Sequence, residues 1–253
     1  MLAMFTDFGC HGPYLGQMEA VLRREAPNVP VIDLINNAPR TDPRHSAYLL
    51  AALARWWPRG TVFLCVVDPG VGGQRRPVAM AADGKWFVGP DNGLFNTVAV
   101  QSIDHVDWFE IVWRPGQLSA SFHGRDLFAP VAAALATGKE AGMLRPCPGP
   151  ELSQWPEDLA EVIYVDHYGN AITGLTYRHD WRGRMLAVAG RNLAQAETFS
   201  DVAEGGAFWY VNSMGLVEVA VNRGSAAQAL GIGIGAPVAW VAEGLPPAGG
   251  IGS

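Results

Sequence analysis

A chain of 253 residues with 49% hydrophobic and 17% charged residues has length for a real core and is too apolar to be disordered, which fits one large domain or two smaller ones. Its net charge of −6, with no run of Lys or Arg beyond the pairs Arg23-Arg24 and Arg75-Arg76, argues against a nucleic-acid partner, whose phosphates need a basic stripe. Three widely separated cysteines, Cys10, Cys65 and Cys147, offer neither a disulfide framework nor a metal cage, and no apolar run reaches the roughly 18 residues of a membrane span. The first seven residues lack a basic segment, so a signal peptide is not expected and the cytoplasm is the expected compartment.

Residues 2–6 form a short apolar strand ending in Asp7-Phe8-Gly9. Residues 14–26 have helical spacing, with Leu15, Met18 and Leu22 on one face, and residues 29–34 are a second strand. Pro43 opens a helix whose apolar side includes Tyr48, Leu49, Leu50, Leu53, Trp56 and Trp57, and Pro58-Arg59-Gly60 stops it. Residues 61–67, β-branched and apolar throughout, predict a strand buried on both faces. This alternation predicts an α/β N-terminal domain, residues 1–144, with a largely parallel sheet. Residues 145–160, rich in Pro, predict a linker without regular structure. Strand-like runs at 161–166, 171–177, 185–189, 207–211, 215–221 and 237–241 then predict a smaller all-β, barrel-like C-terminal domain, residues 161–253, whose tail from Pro246 is expected to be loose.

Four clusters carry polar groups suited to chemistry. Asp7 follows the first strand, where open α/β sheets bind ligands, and its carboxylate suits a ribose diol; the alternative is a cap on the next helix. Asp68-Pro-Gly-Val-Gly-Gly-Gln-Arg75 follows the buried strand. Its Asp and Arg suit a charge-assisted pair with glycines allowing close backbone approach, or else an ordinary turn beside a surface cation. His123, within Ser121-Phe-His-Gly-Arg-Asp126, precedes a helical run at 127–135 and is either catalytic or structural. Asp166-His-Tyr-Gly-Asn170 lies between two strands: Asn can read an adenine edge and Asp can hold an ammonium, or the segment is a hairpin turn. Gly231-Ile-Gly-Ile-Gly235 precedes a strand rather than a helix, so it lacks the setting of a phosphate cradle and reads as a turn.

The order of Thr6-Asp-Phe-Gly9, Val67-Asp-Pro-Gly-Val-Gly72, Val88-Gly-Pro-Asp-Asn-Gly93, Phe122-His-Gly-Arg-Asp126, Asp166 to Asn170 and Asn212-Ser-Met-Gly215 runs almost end to end. It resembles the S-adenosylmethionine (SAM) hydroxide adenosyltransferases, adenosine-forming hydrolases related to fluorinase and chlorinase. The resemblance implies SAM as substrate, a homotrimer with active sites between subunits, and no metal or other cofactor. It further implies a water-handling set of Asp68, Arg75 and His123, with Asp7 on the ribose. Asn170 and the backbone near Arg223 would read adenine, with Phe199 stacked on it, while Asp166 and Ser213 would take the methionine ammonium and carboxylate. Two departures fall near the methionine end: Gly12, where relatives commonly carry an acidic residue, and Met214, where the halogenases carry Arg. Two rivals stand beside the hydrolase. One is a halide adenosyltransferase, opposed by the Asp68 charge and by Gly124, where halogenases offer a hydroxyl. The other is an adenosine- or SAM-binding module without turnover.

Overall fold

The computed structural model describes residues 1–242, which fall into two compact units, one of residues 1–157 and one beginning at Asp158. The tail from Pro246, expected to be loose, lies outside the described residues. Among the described residues no helix is long and apolar enough to cross a membrane.

The first unit contains, in order, β1 (Leu2–Thr6), α1 (Tyr14–Glu25), β2 (Val31–Ile35), α2 (Pro43–Ala54), β3 (Val62–Val66), β4 (Pro77–Ala82), β5 (Lys85–Pro90), α3 (Asn96–Gln101), β6 (Asp107–Ile111), α4 (Ala129–Thr137) and β7 (Leu144–Pro146). One sheet runs β2-β1-β3-β5-β4-β6-β7. It is parallel from β2 to β5 and antiparallel beyond. Every residue of β1 and β3 is buried, as expected of central parallel strands covered on both faces. Met18 and Leu22 of α1 share a core with Leu64 of β3 and with Val131 and Leu135 of α4.

The antiparallel half turns on Asp83-Gly84, whose φ values of 49° and 69° are the left-handed pair a two-residue hairpin turn requires. Two expectations change. The apolar helix ends at Ala54 instead of reaching the tryptophans, and Trp56 is 69% exposed. The segment expected to be a linker begins as edge strand: β7 pairs with β6 at Arg145 and Pro146, an edge being where proline is tolerated in a sheet.

The second unit contains β8 (Leu159–Val165), β9 (Ala171–Thr176), β10 (Leu186–Val188), β11 (Arg191–Leu193), β12 (Ala207–Val211), β13 (Leu216–Val221), α5 (Ala226–Leu230) and β14 (Val238–Trp240). Its sheets are antiparallel, β12-β13-β9-β8 and β11-β10-β14. Single bridges join Glu161 to Pro237 and Gln195 to Trp209, linking the outer strands of one sheet to those of the other, so the ring closes as a small barrel. Its interior holds Trp209, Val217, Val219 and Leu186. Gly231 ends α5 in the left-handed conformation, so the Gly-rich run is a turn, as expected.

Candidate functional site

In the first sheet, β1 sits between β2 and β3, so the chain order reverses at the β1–β3 boundary. A crevice outside the carboxyl ends of the strands at such a point is where open sheets bind ligands. Asp7 leaves β1 there and Asp68 follows β3. Asp7 does not cap the helix that follows: Pro13 is the N-cap of α1, with no side-chain capping bond. Its Oδ2 instead accepts the Thr41 amide proton at 2.8 Å. Thr41 has φ 55°, a costly conformation for a β-branched residue, of the kind that collects at ligand sites. Burial raises the Asp7 carboxyl above its ordinary value, with the Thr41 bond opposing.

Asp68, Arg75 and His123 do come together. Arg75 donates from Nε and Nη2 to Asp68 at 2.5–3.1 Å, and Nη2 lies 2.9 Å from His123 Nδ1. The Asp68 and Arg75 side chains are only 4% and 10% exposed, so this is no surface ion pair. The guanidinium also lies over the Phe128 ring, 5.2 Å from its centre. Arginine can only donate, so Nδ1 must accept, which puts the proton of a neutral His123 on Nε2. Burial first, and the Arg75 charge second, hold the His123 pKa below its ordinary 6.5, in keeping with that neutral form.

Local backbone makes this possible. Gly72 has φ 76°, and a Cβ there would fall 2.6 Å from the Ala120 carbonyl, so glycine lets the loop after β3 lie against the segment carrying His123. Asn92 Nδ2 donates to the Val67 carbonyl at 2.9 Å, and Arg76 pairs with Asp91, fixing both sides of the Asp68 loop. His123 then enters a π-helical turn, Gly124–Phe128, that leads into α4. Such turns are frequent at functional sites. Asp7, Asp68 and His123 line one cavity of about 370 Å³ with Tyr14, Gln17 and Phe122. A larger cavity of about 830 Å³ shares Ser119 and Arg125 with it but contains none of the three.

In the second unit, Asp166, Asn170, Phe199 and Arg223 line a pocket of about 590 Å³. Asp166 to Asn170 is indeed the β8–β9 hairpin turn as well: Asp166 Oδ1 accepts the Tyr168 and Asn170 amide protons at 2.9 and 2.8 Å. Asp166 Oδ2 accepts from Asn170 Nδ2 at 3.0 Å, which ties down the donor end of that amide. Arg223 has φ 55°, and its exposed side chain pairs with Glu204 at 3.1 Å. Ser213 is exposed on the β12–β13 turn, which Asn212 Oδ1 ties by accepting the Met214 and Leu216 amide protons, and it is not among the residues lining this pocket.

Residues 2–145 match the SAM hydroxide adenosyltransferase N-terminal domain, and residues 160–239 match the corresponding C-terminal domain. The chain belongs to the SAM hydroxide adenosyltransferase family. A Thermus thermophilus protein named (R)-S-adenosyl-L-methionine hydrolase is 42% identical, covering 92% of this chain and 96% of its own. One of the same name from Salinispora arenicola is 39% identical, covering 91% and 94%. A fluorinase of Nocardia brasiliensis is more distant, at 25% over 90% and 92%. The crystal structure of an uncharacterised conserved protein of Thermotoga maritima superposes with a TM-score of 0.85 at 30% identity, covering 94% of this chain and 98% of that one.

Three residues that line these two separate pockets were missed in the sequence. Thr41 precedes the Asp42-Pro43 helix start, which draws attention to capping rather than to the strained residue before it. Gln17 and Tyr210 sit on regular elements, where one polar or aromatic residue carries no local signal. Gly124 is buried, and a Cβ on it would lie 3.0 Å from Met18 Sδ and 3.4 Å from Val66 Cγ2. A hydroxyl-bearing side chain would have to displace those neighbours.

Proposed function

We propose that this protein hydrolyses S-adenosylmethionine to adenosine and methionine, with Asp68 receiving the proton of the attacking water. The observation that carries this is the buried Asp68–Arg75–His123 arrangement beside Asp7 at the carboxyl ends of β1 and β3. The sulfonium is already a good leaving group. Water oxygen bonds to the ribose 5′ carbon, the carbon–sulfur bond breaks, and its electron pair stays on sulfur as the methionine thioether. No general acid is required, and the enzyme's task is to hold water in line at near-attack distance. His123 Nδ1 is taken by Arg75 and its Nε2 carries the proton, so His123 suits donation to the water oxygen and Asp68 is the remaining acceptor. Arg75 orients both. Neither a metal nor a separate cofactor is part of the reading.

Asp7 would bind the ribose hydroxyls. Asn170, with its NH₂ turned to Asp166, would offer its carbonyl to the adenine amino group, beside the backbone near Arg223 and with Phe199 against the ring. Asp166 would take the methionine ammonium, and Ser213 would reach the carboxylate from its exposed turn. Cytoplasmic operation as a homotrimer with active sites at subunit interfaces belongs to the same reading, supported by the family resemblance. The relatives' name further supports the (R) sulfonium epimer as substrate.

A halide nucleophile is the weaker reading. A carboxylate about 4 Å from an anion costs on the order of 4 kcal/mol at an effective dielectric of 20, only part of which Arg75 offsets. Gly124 has no room for a hydroxyl donor without rearrangement. Incubation with each sulfonium epimer, with and without chloride, followed by separation of nucleosides, tests the assignment. Equimolar adenosine and methionine, unaffected by a chelator, is expected. Chlorinated nucleoside as the main product, or no product, would overturn it.

A further inference from the structure

Glu218 lies mid-strand in β13 and is 3% exposed, opposite Tyr210 of β12 in the register. Both its oxygens are in use. Oε1 accepts the Tyr210 hydroxyl proton at 2.6 Å, and Oε2 accepts from Asn212 Nδ2 at 2.8 Å. The two donors lead to different parts of the proposed substrate site. Tyr210 lines the pocket with Asn170 and Arg223, its ring 5.5 Å from that of Phe199. Asn212 turns its Oδ1 to the amide protons of Met214 and Leu216 at 2.9 and 3.0 Å, which shapes the turn presenting Ser213.

A carboxylate at such a depth is a poor choice for stability alone, since an apolar residue of similar volume would avoid its desolvation. Burial pushes the Glu218 carboxyl up, while the Tyr210 and Asn212 bonds pull it down. Glu218 itself does not line the pocket. We infer that Glu218 is a positioning residue, setting the pocket wall through Tyr210 and the Ser213 turn through Asn212, so that nucleoside and methionine recognition share one buried anchor. This rests on the proposed assignment of the pocket to adenosine.

Glu218→Gln keeps the shape but replaces one of the two acceptor oxygens by an NH₂, and Tyr210 and Asn212 each donate to a different oxygen, so one of them loses its acceptor. The adenosine Kd by calorimetry and the KM for S-adenosylmethionine should each rise about 5- to 30-fold, while single-turnover rate at saturating substrate stays within about threefold. Tyr210→Phe breaks one arm without touching Glu218 and should give part of the Kd increase. The double variant should bind adenosine no more than about twofold more weakly than Glu218→Gln, because the effects run through one bond. If Glu218→Gln does not fold, Tyr210→Phe carries the test alone. An adenosine Kd within twofold of the parent in Tyr210→Phe, or fully additive losses in the double variant, overturns the inference. Hydrolysis by the parent in the same assay reports separately on the proposed function, and adenosine binding is read without turnover.

Discussion

On the proposed function, Asp7 is a carboxylate that works against the fold and for the ligand. Its folded pKa is raised by burial, so the stability linked to it is present below the ordinary 3.8 and is lost as pH rises through the folded value. Asp7→Asn should therefore melt higher than the parent at neutral pH, the gap closing as pH falls below 3.8, while adenosine affinity drops by the roughly 1.5–3 kcal/mol of lost charge-assisted bonds. An unchanged adenosine Kd by calorimetry would remove Asp7 from the ribose. For His123 the sign is opposite. Its pKa is lowered, so its contribution is present above 6.5 and is lost as pH falls through the folded value. Protonation would also break the Nδ1 contact with Arg75. The acid limb of the hydrolysis rate should consequently have its midpoint below 6.5, and a limb at or above 6.5 would contradict the neutral-histidine arrangement.

Elements were legible where hydrophobic pattern alone decides them. β1, β3 and the barrel strands are visible as apolar or alternating runs, and Asp7 and Asp68 as polar breaks at strand ends. The antiparallel half of the first sheet was not read, although Asp83-Gly84 between two apolar runs is a hairpin signal. The strained loop before α2 left no trace, because the bond that its Thr41 amide makes runs to Asp7, 34 residues away in sequence. A Thr41→Gly variant relieves that conformation and should melt no lower than the parent, even though glycine loosens the unfolded chain. A fall of several degrees in Tm would mean that the Thr41 side chain contributes more than its backbone costs. Gly124→Ser, placed in the crowded π-turn, should lose stability and hydrolysis together without gaining halide transfer, as a thermal melt and a chloride assay would show.

On the scale of the whole molecule, what made the family readable was the order of several weak motifs along the chain. The Asp68–Arg75–His123 cluster spans 55 residues of sequence and closes only because loops after β3 and before α4 meet at one sheet edge. Buried support such as Glu218 was invisible: Val217 and Val219 hold the barrel interior, so Glu218 lies on the opposite face of β13, where a carboxylate looks like one meeting water until the strand bringing Tyr210 opposite it is known. Sedimentation should give about three times the mass of the 27.1 kDa chain if the protein is a homotrimer. A monomer that hydrolyses substrate at full rate would refute active sites at subunit interfaces.

The most direct test of the account is Asp68→Asn, read by single-turnover kinetics beside a thermal melt. The change keeps the size of the side chain but removes the proton acceptor, so hydrolysis should fall by roughly 10²–10⁴. Adenosine affinity should stay close to that of the parent. A variant that melts early yet hydrolyses S-adenosylmethionine at near the parent rate would make Asp68 a structural partner of Arg75 and contradict its role in activating water.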